Sequence, residues 1–117
     1  MSECPLEVDA LIEWLRSTAT KLDESRIVLA EIRERREYLP AAYAEFQTDS
    51  MTGGISGWVN GLFDFEIYRG VDGKQIFFRH EEVSTLDSPA LAAALADFID
   101  ALSNSPSEQK GGGSVMG

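Results

Sequence analysis

The chain is short of the residues that staple small folds together. Its 117 residues include one cysteine, Cys4, and one histidine, His80. A single thiol excludes an intramolecular disulfide, and two soft ligands fall short of an ordinary zinc site built from Cys and His. Positive charge is scarce as well. Ten Lys and Arg stand against 20 Asp and Glu, for a net charge of -10, the wrong sign for a protein that holds phosphate backbones or an anionic membrane surface. The longest apolar run, Ala90 to Ala96, is far below the roughly 20 residues that span a bilayer. Near the start, Glu3 and Glu7 stand where a signal peptide carries Lys or Arg, and no apolar segment follows them. These absences lead to an expectation of a cytoplasmic protein with no membrane contact, no direct nucleic-acid contact, no metal and no cofactor.

What remains is ordinary for a globular protein: 44% apolar and 26% charged residues. A chain of this length buries about two-thirds of its unfolded surface. Residues 1–103 read as a single domain. Residues 104–117, Asn-Ser-Pro-Ser-Glu-Gln-Lys-Gly-Gly-Gly-Ser-Val-Met-Gly, have no periodicity and little to bury, and read as a disordered, linker-like tail.

Two helical patterns bracket a β-rich middle. Val8, Leu11, Ile12, Leu15, Thr18, Ala19 and Leu22 recur at steps of three and four, which predicts a helix from Pro5 to Leu22, capped by Ser2 or Cys4. Within Asp23 to Asp49, Leu29, Ile32, Arg36, Leu39, Tyr43 and Phe46 keep similar steps. That spacing favours a second helical segment interrupted at Pro40 over the strand that Ile27, Val28 and Ile32 would suit. Ser50 to Gly61 holds four glycines and reads as a mobile or sharply turning connection, with Trp58 and Val59 opening a further strand before Asn60-Gly61. Leu62 to Tyr68 alternates strictly, Gly70 to Gly73 supplies a turn, and Lys74 to Arg79 returns as the hairpin partner. A last helix is capped by Asp87 or Ser88, has Pro89 in its first turn and ends near Ser103. The expected class is α+β, with helices packed on one face of a small antiparallel sheet in the order α-α-β-β(-β)-α.

Motifs with chemistry are few. Arg79-His80-Glu81-Glu82 sets the imidazole beside two carboxylates, but lacks the HExxH spacing and reads as a charged strand end. An enzyme using His80 is the least favoured function. Thr52-Gly53-Gly54-Ile55-Ser56-Gly57 lacks the Gly-Lys-Ser/Thr of a phosphate loop. Cys4 beside a helix start reads as a packing residue rather than a nucleophile. Arg33, Arg35 and Arg36 are interleaved with Glu31, Glu34 and Glu37, the pattern of a solvated flank rather than a phosphate patch.

Charge and aromatic placement point further. Residues 1–36 carry 8 acids and 6 bases, whereas residues 37–117 carry 12 acids and 4 bases, so the hairpin and last helix hold most of the negative charge. If Phe63, Phe65, Ile67, Ile76 and Phe78 face the helices, Leu62, Tyr68 and Phe77 emerge on the acidic side, and Trp58 joins them. An aromatic patch rimmed by charge is the composition of a protein interface. The expected function is a non-catalytic acidic protein-binding module, of inhibitor, immunity-protein or chaperone type, that engages a basic protein. Its candidate contact residues are Trp58, Asp64, Glu66, Tyr68, Phe77, Glu81 and Glu82. A nucleic-acid mimic that blocks a nuclease or DNA-binding protein is the alternative. The seam of Leu29, Ile32 and Leu39 fits either core or a homodimer contact.

Overall fold

The computed structural model describes residues 5–103. In chain order these form α1 (Val8–Asp23), β1 (Val28–Arg35), β2 (Ala41–Gln47), β3 (Met51–Trp58), β4 (Leu62–Arg69), β5 (Gln75–Glu82) and α2 (Pro89–Ser103). The strands make one antiparallel meander in the order β1-β2-β3-β4-β5. α1 lies over β1, β2 and β3, and α2 over β4 and β5. The α+β class and the one-sided helix layer match the sequence expectation. The element order does not: a pair of strands stands where a second helical segment was expected. The Cys4 readings and the tail at 104–117 lie outside the described residues.

The first helix starts later than its spacing suggests because residues before it are tied to the sheet. The Leu6 N–H donates to the Val59 carbonyl at 3.0 Å, which keeps this stretch out of the helix. α1 then buries Leu11, Ile12, Leu15, Thr18 and Leu22, the stripe that its periodicity predicts. At its C-terminus Arg26 takes a left-handed conformation with φ 64°, and the Ile27 N–H returns to the Leu22 carbonyl at 3.2 Å. That turn drops Ile27 into the core and sends the chain directly into β1.

The helix-like steps in β1 have a local cause. Leu29 pairs with Phe46 and Ile32 with Ala44, while the register shifts between Leu29 and Glu31. The extra residue, Ala30, is a β-bulge. It brings two apolar residues three positions apart onto one face of a strand, the spacing a helix would give. β2 follows a plain alternation, with Ala42, Ala44 and Phe46 buried. Leu29, Ile32 and Leu39, whose spacing fits either core or a dimer contact, are partly buried and pack against the core.

The glycine-rich segment is the central strand, not a mobile connection. A Cβ on Gly53 would stand 2.8 Å from the Phe98 ring, and one on Gly57 would stand 2.7 Å from the Phe63 ring and 3.1 Å from Leu11. These missing side chains let both helices close on β3. Phe98 of α2 fills the space, with Phe46 at 6.2 Å, Phe65 at 5.7 Å and Phe77 at 6.3 Å between ring centroids. Trp14 of α1 meets Phe63 edge-on at 5.5 Å. The Asn60-Gly61 turn forms as its sequence implies: Gly61 has φ 98°, and a Cβ there would collide with the Val83 carbonyl oxygen. The start of α2 also matches, with Ser88 Oγ accepting the Ala90 N–H at 3.2 Å.

Gly57→Ala should therefore destabilise the fold by about 1–2 kcal/mol, overpacking outweighing the gain from a stiffer unfolded chain. Ser56→Ala, one residue away on the opposite face, should stay within about 0.5 kcal/mol. Urea unfolding midpoints of the two variants check this, and equal midpoints would contradict the close-approach role of Gly57.

Candidate functional site

Strand alternation divides the sheet into a helix-covered face and an open one. The register places Arg33, Tyr43, Ser56, Asp64 and His80 in one row across all five strands of the open face. A neighbouring row reads Glu31, Glu45, Gly54, Glu66 and Phe78. Trp58, Leu62, Tyr68 and Glu82 share this face. No helix packs over it among the described residues.

Side chains on this face are held by one another. Arg33 gives its Nε to Glu31 at 3.0 Å and carries its guanidinium 4.9 Å from the Tyr43 ring centroid, a cation–π contact. The Tyr43 hydroxyl leans over the bare backbone of Gly54, where a Cβ would stand 2.8 Å from its oxygen. Burial pushes the Tyr43 pKa up, and the nearby Glu45 and Glu66 carboxylates push it the same way. Tyr68 donates its hydroxyl to Glu66 at 2.9 Å and accepts from Gln75 Nε2 at 3.1 Å. The bond to Glu66 is the main reason its pKa is also raised. His80 Nδ1 and Asp64 Oδ1 are 2.6 Å apart.

Of the candidate contact residues, Trp58, Asp64, Glu66, Tyr68 and Glu82 lie on the open face. Phe77 and Glu81 do not. Phe77 pairs with Ile67 and packs under α2 against Phe98, while Glu81 faces the helix layer and binds Arg79 Nε at 2.9 Å. Arg79 also bonds Asp97 of α2. The cause is again a register shift: Ile67 pairs with Phe77 but Tyr68 pairs with Gln75. The bulge at Ile76 inverts the expected order, turning Phe77 inward and leaving Phe78 outward and 54% exposed. Ile76, expected inside, is also exposed.

The Arg79-His80-Glu81-Glu82 cluster is split between the two faces, so His80 works with Asp64 rather than with its sequence neighbours. The Gly53–Gly57 stretch runs as flat strand, pressed under both helices at Gly53 and Gly57, and forms no loop that could wrap an anion. Sequence reasoning missed Arg33, Arg35, Tyr43, Phe78 and His80 as members of one surface. The alternation of Ala42, Ala44 and Phe46 was the available signal for β2, and hence for Tyr43 between them.

The fold and this face define a small two-layer α+β protein whose meander is sealed by helices on one side and presents ordered aromatic and charged side chains on the other. A family model described as immunity protein TriTu matches residues 9–101. That span reaches from the first turn of α1 to the last turns of α2, and the chain belongs to this immunity-protein family. Comparison with curated proteins returns no match, and comparison with solved structures returns none either. No helix among the described residues is long and apolar enough to cross a membrane.

The raised Tyr43 pKa makes an alkaline prediction. A hydroxyl whose pKa is higher folded than unfolded contributes stability that is complete below the unfolded value and is lost as pH rises through the folded one. Tyr43→Phe should therefore lose less stability than the parent chain between about pH 8 and about pH 10.5. Urea midpoints at the two pH values measure the difference, and parallel losses would contradict it.

Proposed function

We propose that this protein is a non-catalytic immunity protein that neutralises a toxin by occupying it, with the open face of the sheet as the toxin-facing surface. The observation that carries this reading is the family match across every element of the fold. The open face supports its finer part, because Trp58, Tyr68 and Phe78 are set there among Asp64, Glu66 and Glu82. Such aromatics supply affinity where water is excluded, and the surrounding carboxylates steer a basic partner and reject unsuitable ones. The net charge of -10 supports a toxin with a basic surface. The contact set is Trp58, Asp64, Glu66, Tyr68, Phe78 and Glu82, with Phe78 replacing the Phe77 that strict alternation would put outside. The cytoplasm is the proposed site of action, consistent with a lone cysteine.

The test is growth protection. The toxin is the protein that co-purifies with this chain and kills a host when expressed without it; co-expression of the chain should restore growth. A partner displaced by duplex DNA and lost at high salt would indicate phosphate mimicry instead of an aromatic-centred interface.

Two neighbouring phenylalanines separate binding from folding. Phe78→Ala should leave the unfolding midpoint nearly unchanged and weaken toxin binding by about 2 kcal/mol, roughly thirtyfold. Phe77→Ala should do the reverse, costing about 2 kcal/mol of stability because it empties the space its ring fills beneath Phe98. Titration calorimetry and urea unfolding of both variants decide the matter; unchanged toxin affinity in Phe78→Ala would remove Phe78 from the binding surface.

A further inference from the structure

Charge on the open face is not uniform. On β4 and β5 the carboxylates Asp64, Glu66 and Glu82 face no arginine on the open side among the described residues, whereas on β1 and β2 Arg33 and Arg35 share that side with Glu31 and Glu45. Between β1 and the end of β3 lies a shallow hollow of about 350 Å³, lined by Arg33, Arg35, Tyr43, Ser56 and Trp58 among others. Its lining holds two arginines against one carboxylate, Glu34, on a protein of net charge -10.

The two arginines are positioned but not used up. Arg33 commits Nε to Glu31 and stacks on Tyr43, and Arg35 commits one terminal nitrogen to the Leu39 carbonyl at 3.1 Å. The carboxylate of Glu34, which also borders the hollow, is taken by Arg36 at 2.6 Å. Among the described residues no carboxylate pairs with Arg35. A guanidinium has five N–H donors, so even with the Arg33 bond to the Tyr43 hydroxyl, most of the donor capacity of this pair is uncommitted among the described residues. Trp58 and Tyr43 wall the site with aromatic surface, which lowers the local dielectric and strengthens any ion pair made there. Trp, Tyr and Arg are also the residue types over-represented where interfaces concentrate their binding energy.

We infer that this hollow receives an acidic side chain, Asp or Glu, from the bound toxin, and so sets the orientation in which the toxin docks on the open face. The inference rests on the immunity-protein reading and goes beyond it, because a uniformly acidic docking surface has no need of such a site. A carboxylate matches the fork of each guanidinium geometrically, and an inserted carboxylate placed over β1 leaves the basic part of the toxin over β4 and β5. Docked the other way round, like charges would meet at both ends.

The experiment uses the full chain, with the purified toxin that it neutralises as the probe. Affinity is measured for Arg33→Gln with Arg35→Gln, for Arg33→Glu with Arg35→Glu, and for Arg16→Glu on the exposed side of α1. An acidic field alone and a carboxylate-binding hollow give opposite signs. If the surface acts only as an acidic field, replacing arginine by glutamate tightens the hold on a basic toxin. If the hollow takes a carboxylate, the glutamine pair weakens binding about tenfold or more, the glutamate pair weakens it further, and Arg16→Glu changes it by less than about threefold. Circular dichroism melting of each variant separates unfolding from weakened docking. Unchanged or tighter binding by the glutamate pair overturns the hollow and leaves the immunity reading standing. Failure to find any toxin that the chain neutralises overturns both.

Discussion

The structure depends on how closely two helices approach one strand. Gly53 and Gly57 lie on the covered side of β3, and the rings of Phe98 and Phe63 fill the places where their side chains would be. With a larger residue at either position, the helix layer would have to lift off the centre of the sheet. Phe98 would then be separated from the neighbours Phe46, Phe65 and Phe77 that it reaches across four strands. Glycine weakens a strand taken alone, through chain entropy and the lack of a side chain to pack. Here that cost is offset by aromatic burial, which contributes far more per residue than strand propensity does.

Sealing one face so fully has a consequence for the other. Both helices lie on the same side, so the opposite side of the meander is left to side chains that order one another. Gly54 serves there as Gly53 and Gly57 do beneath: its bare backbone accommodates the Tyr43 ring, which in turn carries Arg33. Tyr68, Glu66 and Gln75 form a second linked group, and Asp64 with His80 a third. A surface whose rotamers are already set loses less entropy on docking, the advantage of a preorganised interface. That property suits the docking role proposed for this face.

Much of this was legible in the amino-acid order. The apolar stripes of α1 and α2, the Ser88-Pro89 start of α2, the Asn60-Gly61 turn and the strict alternation of β4 are local patterns, each determined by the spacing of a few residues. The one-sided α+β arrangement follows from them. Asp64, Glu66 and Tyr68 were identifiable as one set for the same reason: in a strand, alternate residues share a face.

Other features were decided only by tertiary structure. The bulge at Ala30 gives Leu29 and Ile32 a helical spacing inside a strand, and the bulge at Ile76 exchanges the sides of Phe77 and Phe78. A bulge is an agreement between two paired strands, so neither chain segment announces it alone. The glycines of β3 read locally as a loop, because their role appears only when Phe98 and Leu11, distant in sequence, arrive above them. Arg33, Arg35 and Trp58 become one hollow only after three strands are in register. The sequence by itself determined which elements form wherever periodicity was local. Which side chains ended outside, and therefore what this protein can touch, was decided by strand pairing and helix packing across the whole sheet.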